Sequence, residues 1–143
     1  MRLDLYQAET ARIAAEQAAL LTQAKTILQQ GRALTPLEQS GVLHALQILI
    51  ENAIGKAKQW LKASGQPVPV SAYDAFTALA SSQQLSPDDL KAWIAIVGLR
   101  NRIVHDYMNV DMDQVIALVK ADQDQFVLRF LLQDFMQKDN AID

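Results

Sequence analysis

Within the nine residues LRNRIVHDY, from Leu99 to Tyr107, the chain gathers two arginines, an asparagine, one of its two histidines and a tyrosine. These types suit cleavage of a phosphodiester in RNA. Histidine titrates near neutrality, so His105 can take a proton from a ribose 2′-hydroxyl or give one to a leaving 5′-oxygen. The guanidinium of Arg100 keeps its charge and matches phosphoryl oxygens as negative charge grows on them. Asn101 can fix an imidazole tautomer or hold a phosphate oxygen. Arg102 is a candidate contact to RNA phosphate.

The spacing imposes a geometric demand. At about 100° per residue, Asn101 and His105 lie nearly one above the other on a helix, and Arg100 shares a face with Tyr107. Arg100 and His105, by the same arithmetic, stand roughly 140° apart. Either the helix is irregular here, or the same segment of a second copy completes the site. Metal-free transesterification also needs both an acid and a base, and the segment offers one histidine. A two-fold dimer would supply two copies of His105. Taken alone, an R-x4-H spacing is also what two arginines snorkelling from an amphipathic helix would give.

Other polar residues have plainer explanations. His44 lies mid-helix with no second ligand at metal-binding spacing and is assigned no role. The cluster Asp106, Asp111 and Asp113 contains a D-x-D pair, but the sequence lacks the strands and glycine-serine loop that such a magnesium site uses. Asp111 reads better as a helix N-cap, and no metal is expected. Lys56, Lys58 and Lys62 form a basic stripe, either solvated near a helix C-terminus or, with Lys58, a phosphate-contact strip.

The elements that must position these residues are well punctuated. Residues from about Leu3 to Gln30 are rich in alanine, leucine and glutamine, and Gly31 stops that helix. TPLE gives Thr35 as cap, Pro36 at the first helical position and Glu38 as the capping-box acid. Leu43, Leu46, Ile50, Ala53, Ile54, Ala57 and Leu61 then recur at helical spacing until Gly65. QPVPV is a proline-bearing connector. Ser71 caps a short helix to about Ser81, and Ser86, Pro87 and Asp89 open the helix that carries the motif through Tyr107. Asp111 with Gln114 opens a last helix running to about Lys138. No alternating strand pattern is present. The fold class expected is all-α: an antiparallel bundle of four long helices plus one short helix. Trp60 beside the Leu61 stripe, and Phe126 with Phe130, put apolar residues on more than one face. A helix-lined homodimer interface would absorb them as naturally as a single bundle.

Composition narrows the setting. The chain has 143 residues, half of them apolar, no cysteine and a net charge of −3. This length suits one domain with a sizeable core. The missing cysteines exclude disulfide, thiolate-metal and cysteine-nucleophile chemistry. The acidic balance argues against broad duplex binding but leaves room for single-stranded RNA at a local basic site. The start MRLDLYQAET lacks a signal-peptide core, and no apolar run is long enough to span a membrane. A cytoplasmic protein with no membrane partner is expected.

RNRIVHDY also matches the R-x4-H-x-Y motif of the HEPN superfamily, specifically its HepT-like toxins. ALQILIENAI resembles that family's second-helix segment, PVPVSAYDAFTAL its connector to the short helix, and VGLRNRIVHDYMNVDMDQV its motif helix and exit. The resemblance covers roughly residues 40 to 130 in order, and implies one HEPN-like helical domain over residues 1–143. It implies a homodimeric endoribonuclease needing no metal or cofactor, with the motif at the subunit cleft and RNA, in some members tRNA, as substrate. Arg100 and His105 would be its catalytic pair and Asn101 a polar support. Tyr107 would match the tyrosine to which a cognate minimal nucleotidyltransferase (MNT) antitoxin transfers AMP, silencing the toxin. Family members often carry an aspartate where this chain has Gly55, and Asn-His where it has Lys58 and Gln59. The competing reading is a non-catalytic helical binding subunit of a nucleotidyltransferase.

Overall fold

The computed structural model describes residues 2–134. Every regular element among them is helical: α1 (Leu3–Gln29), α2 (Pro36–Ala63), α3 (Ala72–Ser81), α4 (Pro87–His105), α5 (Met112–Lys120) and α6 (Asp124–Leu132), with a 3₁₀ turn at Tyr107–Asn109. The local signals act where they stand. Thr35 and Glu38 form a reciprocal capping box, and the Ser71 and Ser86 hydroxyls accept from the backbone N–H groups of Asp74 and Asp89. Gly31 and Gly65 take the left-handed conformation that ends α1 and α2.

Helix α2 is the hub, packing on α1, α3, α4 and α6. Its length and its twelve buried residues explain this, since the apolar positions wrap well beyond a single stripe. An aromatic cluster locks the other helices onto it. Phe76 of α3 stacks on Trp93 of α4 with centroids 4.3 Å apart, and Phe130 of α6 meets Trp93 at 5.0 Å and Trp60 at 6.0 Å. Trp60 and Phe130 are therefore core residues, 1% and 5% exposed, so of the two expected accommodations the single bundle is the one that takes them. No helix is long and apolar enough to cross a membrane among the described residues.

Two features depart from the sequence reading. The last helix is divided: it stops at Lys120, turns through Ala121–Gln123 with Asp122 left-handed (φ 57°), and restarts at Asp124. Lys25 of α1 fixes the break by pairing with Asp122 at 2.8 Å and with the buried Asp124 at 3.0 Å. The second piece ends at Leu132, where Gln133 turns extended (φ −70°, ψ 137°), short of the expected run to Lys138, whose residues past 134 lie outside the described ones. The basic stripe is also divided. Lys56 is fully buried, and its ammonium donates to the carbonyls of Phe130 (2.7 Å), Leu131 (3.1 Å) and Gln133, closing the C-terminus of α6. Burial pushes this ammonium down to about 8, opposed by the Asp134 carboxylate. Lys62 stays exposed.

Candidate functional site

Helix α4 is regular through its last residue, His105, and the Asp106 N–H still bonds the Arg102 carbonyl at 2.8 Å. This removes the irregular-helix alternative within the chain. Arg100 and His105 keep their roughly 140° separation and do not converge. Arg100 is turned inward toward α2, where its Nε lies 3.6 Å from Glu51 Oε1. Gln47, one turn earlier, donates to the same carboxylate oxygen at 3.1 Å. His105 is exposed and has no hydrogen-bond or ion-pair partner among the described residues. Its imidazole is thus available to a ligand on the outer face of α4, whereas the guanidinium is held from behind.

Asn101 links the two sides. Its Oδ1 accepts from Arg100 Nη1 at 3.0 Å, and its Nδ2 donates to the Tyr73 hydroxyl of α3 at 3.4 Å. A hydrogen-bonded line thus runs from α4 to α3, and the Arg100–Glu51 contact continues it to α2.

Tyr107 does not stay on the face of Arg100. The helix ends before it, Asp106 leaves helical geometry (φ −146°, ψ 45°), and Tyr107 enters the 3₁₀ turn. Its hydroxyl then donates to Ser40 near the start of α2 at 3.4 Å, with the side chain still about half exposed. Asp106 accepts from Asn109 Nδ2 at 2.7 Å, and Asp111 accepts from the backbone of Asp113 and Gln114. The aspartates therefore shape the exit from α4 and the start of α5.

Arg102 is exposed at the edge of an apolar cavity of about 310 Å³ between α2, α4, α5 and α6, lined by Leu46, Leu49, Leu99, Val115 and Phe126. Lys58 lies two turns beyond Glu51 and donates to the Val70 carbonyl at 2.6 Å, tying the connector to α2. Gly55 faces α1: a Cβ there would lie 3.3 Å from the Tyr6 hydroxyl. A side chain at Gly55 would therefore require the Tyr6 hydroxyl to give way.

Sequence reasoning missed Glu51, Gln47, Tyr73 and Ser40. Glu51 carried a signal, being an acid inside the apolar run ILIENAI at i+4 from Gln47. Tyr73 and Ser40 carried none, because only the packing of α3 and α2 brings them to the motif.

Comparison with known proteins identifies the family and the fold. Residues 13–131 match the family model described as ribonuclease HepT-like. The mRNA nuclease HepT of Shewanella oneidensis is 34% identical over 95 residues, 62% of this chain and 69% of that protein. The tri-AMPylated Shewanella oneidensis HEPN toxin in complex with an MNT antitoxin superimposes with a TM-score of 0.60 at 27% identity, covering 80% of this chain and 93% of that one. A toxin–antitoxin structure with AMP-PNP shares the fold, with a TM-score of 0.64 at 24% identity over 83% of this chain and 97% of that one. By the extent of the family match and the identity to the curated nuclease, this chain belongs to the HepT-like ribonuclease family.

Proposed function

We propose that this protein is a metal-independent endoribonuclease, the toxin of a HEPN/MNT toxin–antitoxin pair, acting in the cytoplasm as a homodimer of one-domain subunits. The observation that carries the reading is the placement of Arg100 and His105 on one regular helix, the guanidinium braced by Glu51 and the imidazole open to solvent. A two-fold axis beside α4 would bring two such helices together, each supplying what the other lacks. One His105 would take the proton of a ribose 2′-hydroxyl, whose oxygen attacks the adjacent phosphorus. The other would protonate the departing 5′-oxygen, leaving a 2′,3′-cyclic phosphate and a free 5′-hydroxyl. Arg100 would stabilise the charge that builds on the phosphoryl oxygens. Asn101 holds Arg100 in place, Arg102 would meet a neighbouring phosphate, and Lys58 would contact more distant RNA.

The relatives support the control by an antitoxin, since one of them is an AMPylated HEPN toxin bound to its MNT partner. Tyr107 would accept AMP here, being half exposed at the exit of the motif helix. The added phosphate charge and bulk beside the site would keep RNA out.

The test is cleavage of RNA by the purified protein, free of any transferase, with chelator present. Parent protein should cut, and His105→Ala should lose roughly 100- to 10,000-fold in rate. Equal activity of the two would refute the assignment. No cleavage together with a stable complex with the transferase would establish the non-catalytic binding subunit instead.

A further inference from the structure

The orientation of Asn101 settles where a proton on a third helix points. Arginine carries donors only, so the amide oxygen of Asn101 must face Arg100 Nη1, and it does at 3.0 Å. The amide nitrogen therefore faces Tyr73, whose hydroxyl oxygen accepts at 3.4 Å. An oxygen that accepts from Asn101 directs its own O–H elsewhere. That O–H meets no acceptor among the described residues, and Tyr73 is 38% exposed.

The position of this hydroxyl is fixed from two sides. Phe76, one turn along α3, stacks on Trp93 of α4 at 4.3 Å and 8° and so pins α3 against the motif helix. The Tyr73 hydroxyl itself lies beside Gly98, where a Cβ would stand 3.6 Å from it. Gly98, Asn101 and His105 share one face of α4, and His105 lies a single turn, about 6 Å, beyond Asn101. The free O–H of Tyr73 is thus presented on the same face as the imidazole of His105.

We infer that Tyr73 is a further catalytic residue, donating a hydrogen bond from its phenol to a non-bridging oxygen of the scissile phosphate. This rests on the ribonuclease reading above. The reaction that reading requires needs donors where charge develops, and Arg100, Asn101 and Tyr73 form one connected donor array. The bond from Asn101 polarises the phenol and strengthens it as a donor. The placement also serves selectivity, since a fixed donor one turn from the imidazole sets where a phosphate must sit for its 2′-hydroxyl to reach the base.

The test compares parent, Tyr73→Phe and His105→Ala on an oligonucleotide with one cleavable linkage, made both as phosphate and as each phosphorothioate isomer. Tyr73→Phe keeps the ring and removes only the hydroxyl, and should melt as the parent does. Its kcat should fall roughly 100-fold, the lower end of what removing one pre-placed donor costs, with KM little changed. Sulfur at the contacted oxygen should slow the parent and add no further slowing to Tyr73→Phe. Tyr73→Gln, which restores a donor, should recover part of the rate. If Tyr73→Phe cuts like the parent while His105→Ala is dead, the inference fails alone. It also fails alone if Tyr73→Phe is slow with the thio effect intact, or if it does not fold and Tyr73→Gln folds and cuts no better than Tyr73→Ala. If the parent does not cut, or His105→Ala cuts equally well, the ribonuclease reading fails and takes this inference with it.

Discussion

Mixing parent chains with His105→Ala chains tests the shared cleft directly. Five residues on a regular helix leave Arg100 and His105 roughly 140° apart, and the helix stays regular to its end, so the proposed site draws on two chains. In the proposed reaction the acid and the base are the two His105 side chains of a dimer. If both histidines are required, only dimers of two parent chains work. At equal mixing after free subunit exchange these make up about one quarter of all dimers, so activity at constant total protein should fall to about one quarter of the parent value. More generally it should follow the square of the parent fraction. If each chain carried a complete site, activity would follow that fraction itself and stand at about one half. The assay is the initial rate of RNA cleavage across a mixing series, with subunit exchange verified by a size tag on one chain type. A straight line would refute the requirement for two histidines in one site while leaving His105 free to be catalytic.

Further outcomes follow from the rest of the structure. Lys56→Met leaves the carbonyls that close α6 without their donor and should cost about 1–3 kcal/mol in denaturant unfolding. Folded Lys56 titrates near 8 and the unfolded side chain near 10.5, so between those values the unfolded chain holds more protons. The parent's margin over Lys56→Met should therefore widen as pH rises from about 8 to about 10.5, and a flat margin would contradict the burial argument. Glu38, held down to about 2 by Arg32 and the Thr35 N–H, contributes stability that is present above about pH 4.5 and lost as pH falls toward 2. Glu38→Gln should flatten that acid limb in melting experiments. Trp93→Ala opens the aromatic cluster and should cost about 3–5 kcal/mol, with smaller losses showing that the core collapses into the gap. Co-expression with a partner transferase should add about 329 Da to peptides containing Tyr107 and none in Tyr107→Phe.

What can be read from the sequence is what is decided locally. Thr35, Ser71, Ser86 and Asp111 cap their helices because a cap depends on its own backbone neighbours. Gly31 and Gly65 stop helices for the same kind of reason. The break at Ala121–Gln123 is invisible in sequence because it contains neither glycine nor proline and is held by Lys25, about a hundred residues away along the chain. Lys56 misleads through its charge, although its spacing of three from Ala53 and four from Trp60 puts it on the buried stripe. At the site, helical arithmetic locates Arg100 and His105 correctly relative to each other. It places Tyr107 wrongly by assuming that α4 continues past Asp106. Glu51 and Tyr73 enter only with the packing of α2 and α3.

The end of α4 at His105 gives the two halves of the motif different tolerance to change. The distance from Arg100 to His105 is counted inside a rigid helix whose other side carries Leu99 and Ile103 into the core. A residue gained or lost there would swing the imidazole by about 100° and drag core positions out of register. Tyr107 hangs from a short turn whose hydrogen bond to α2, among the described residues, goes to Ser40. Insertions between Met108 and Asp111 would leave α4 untouched while moving whatever surface surrounds the tyrosine. The exit turn of this chain therefore tolerates changes in length that the spacing of arginine and histidine does not.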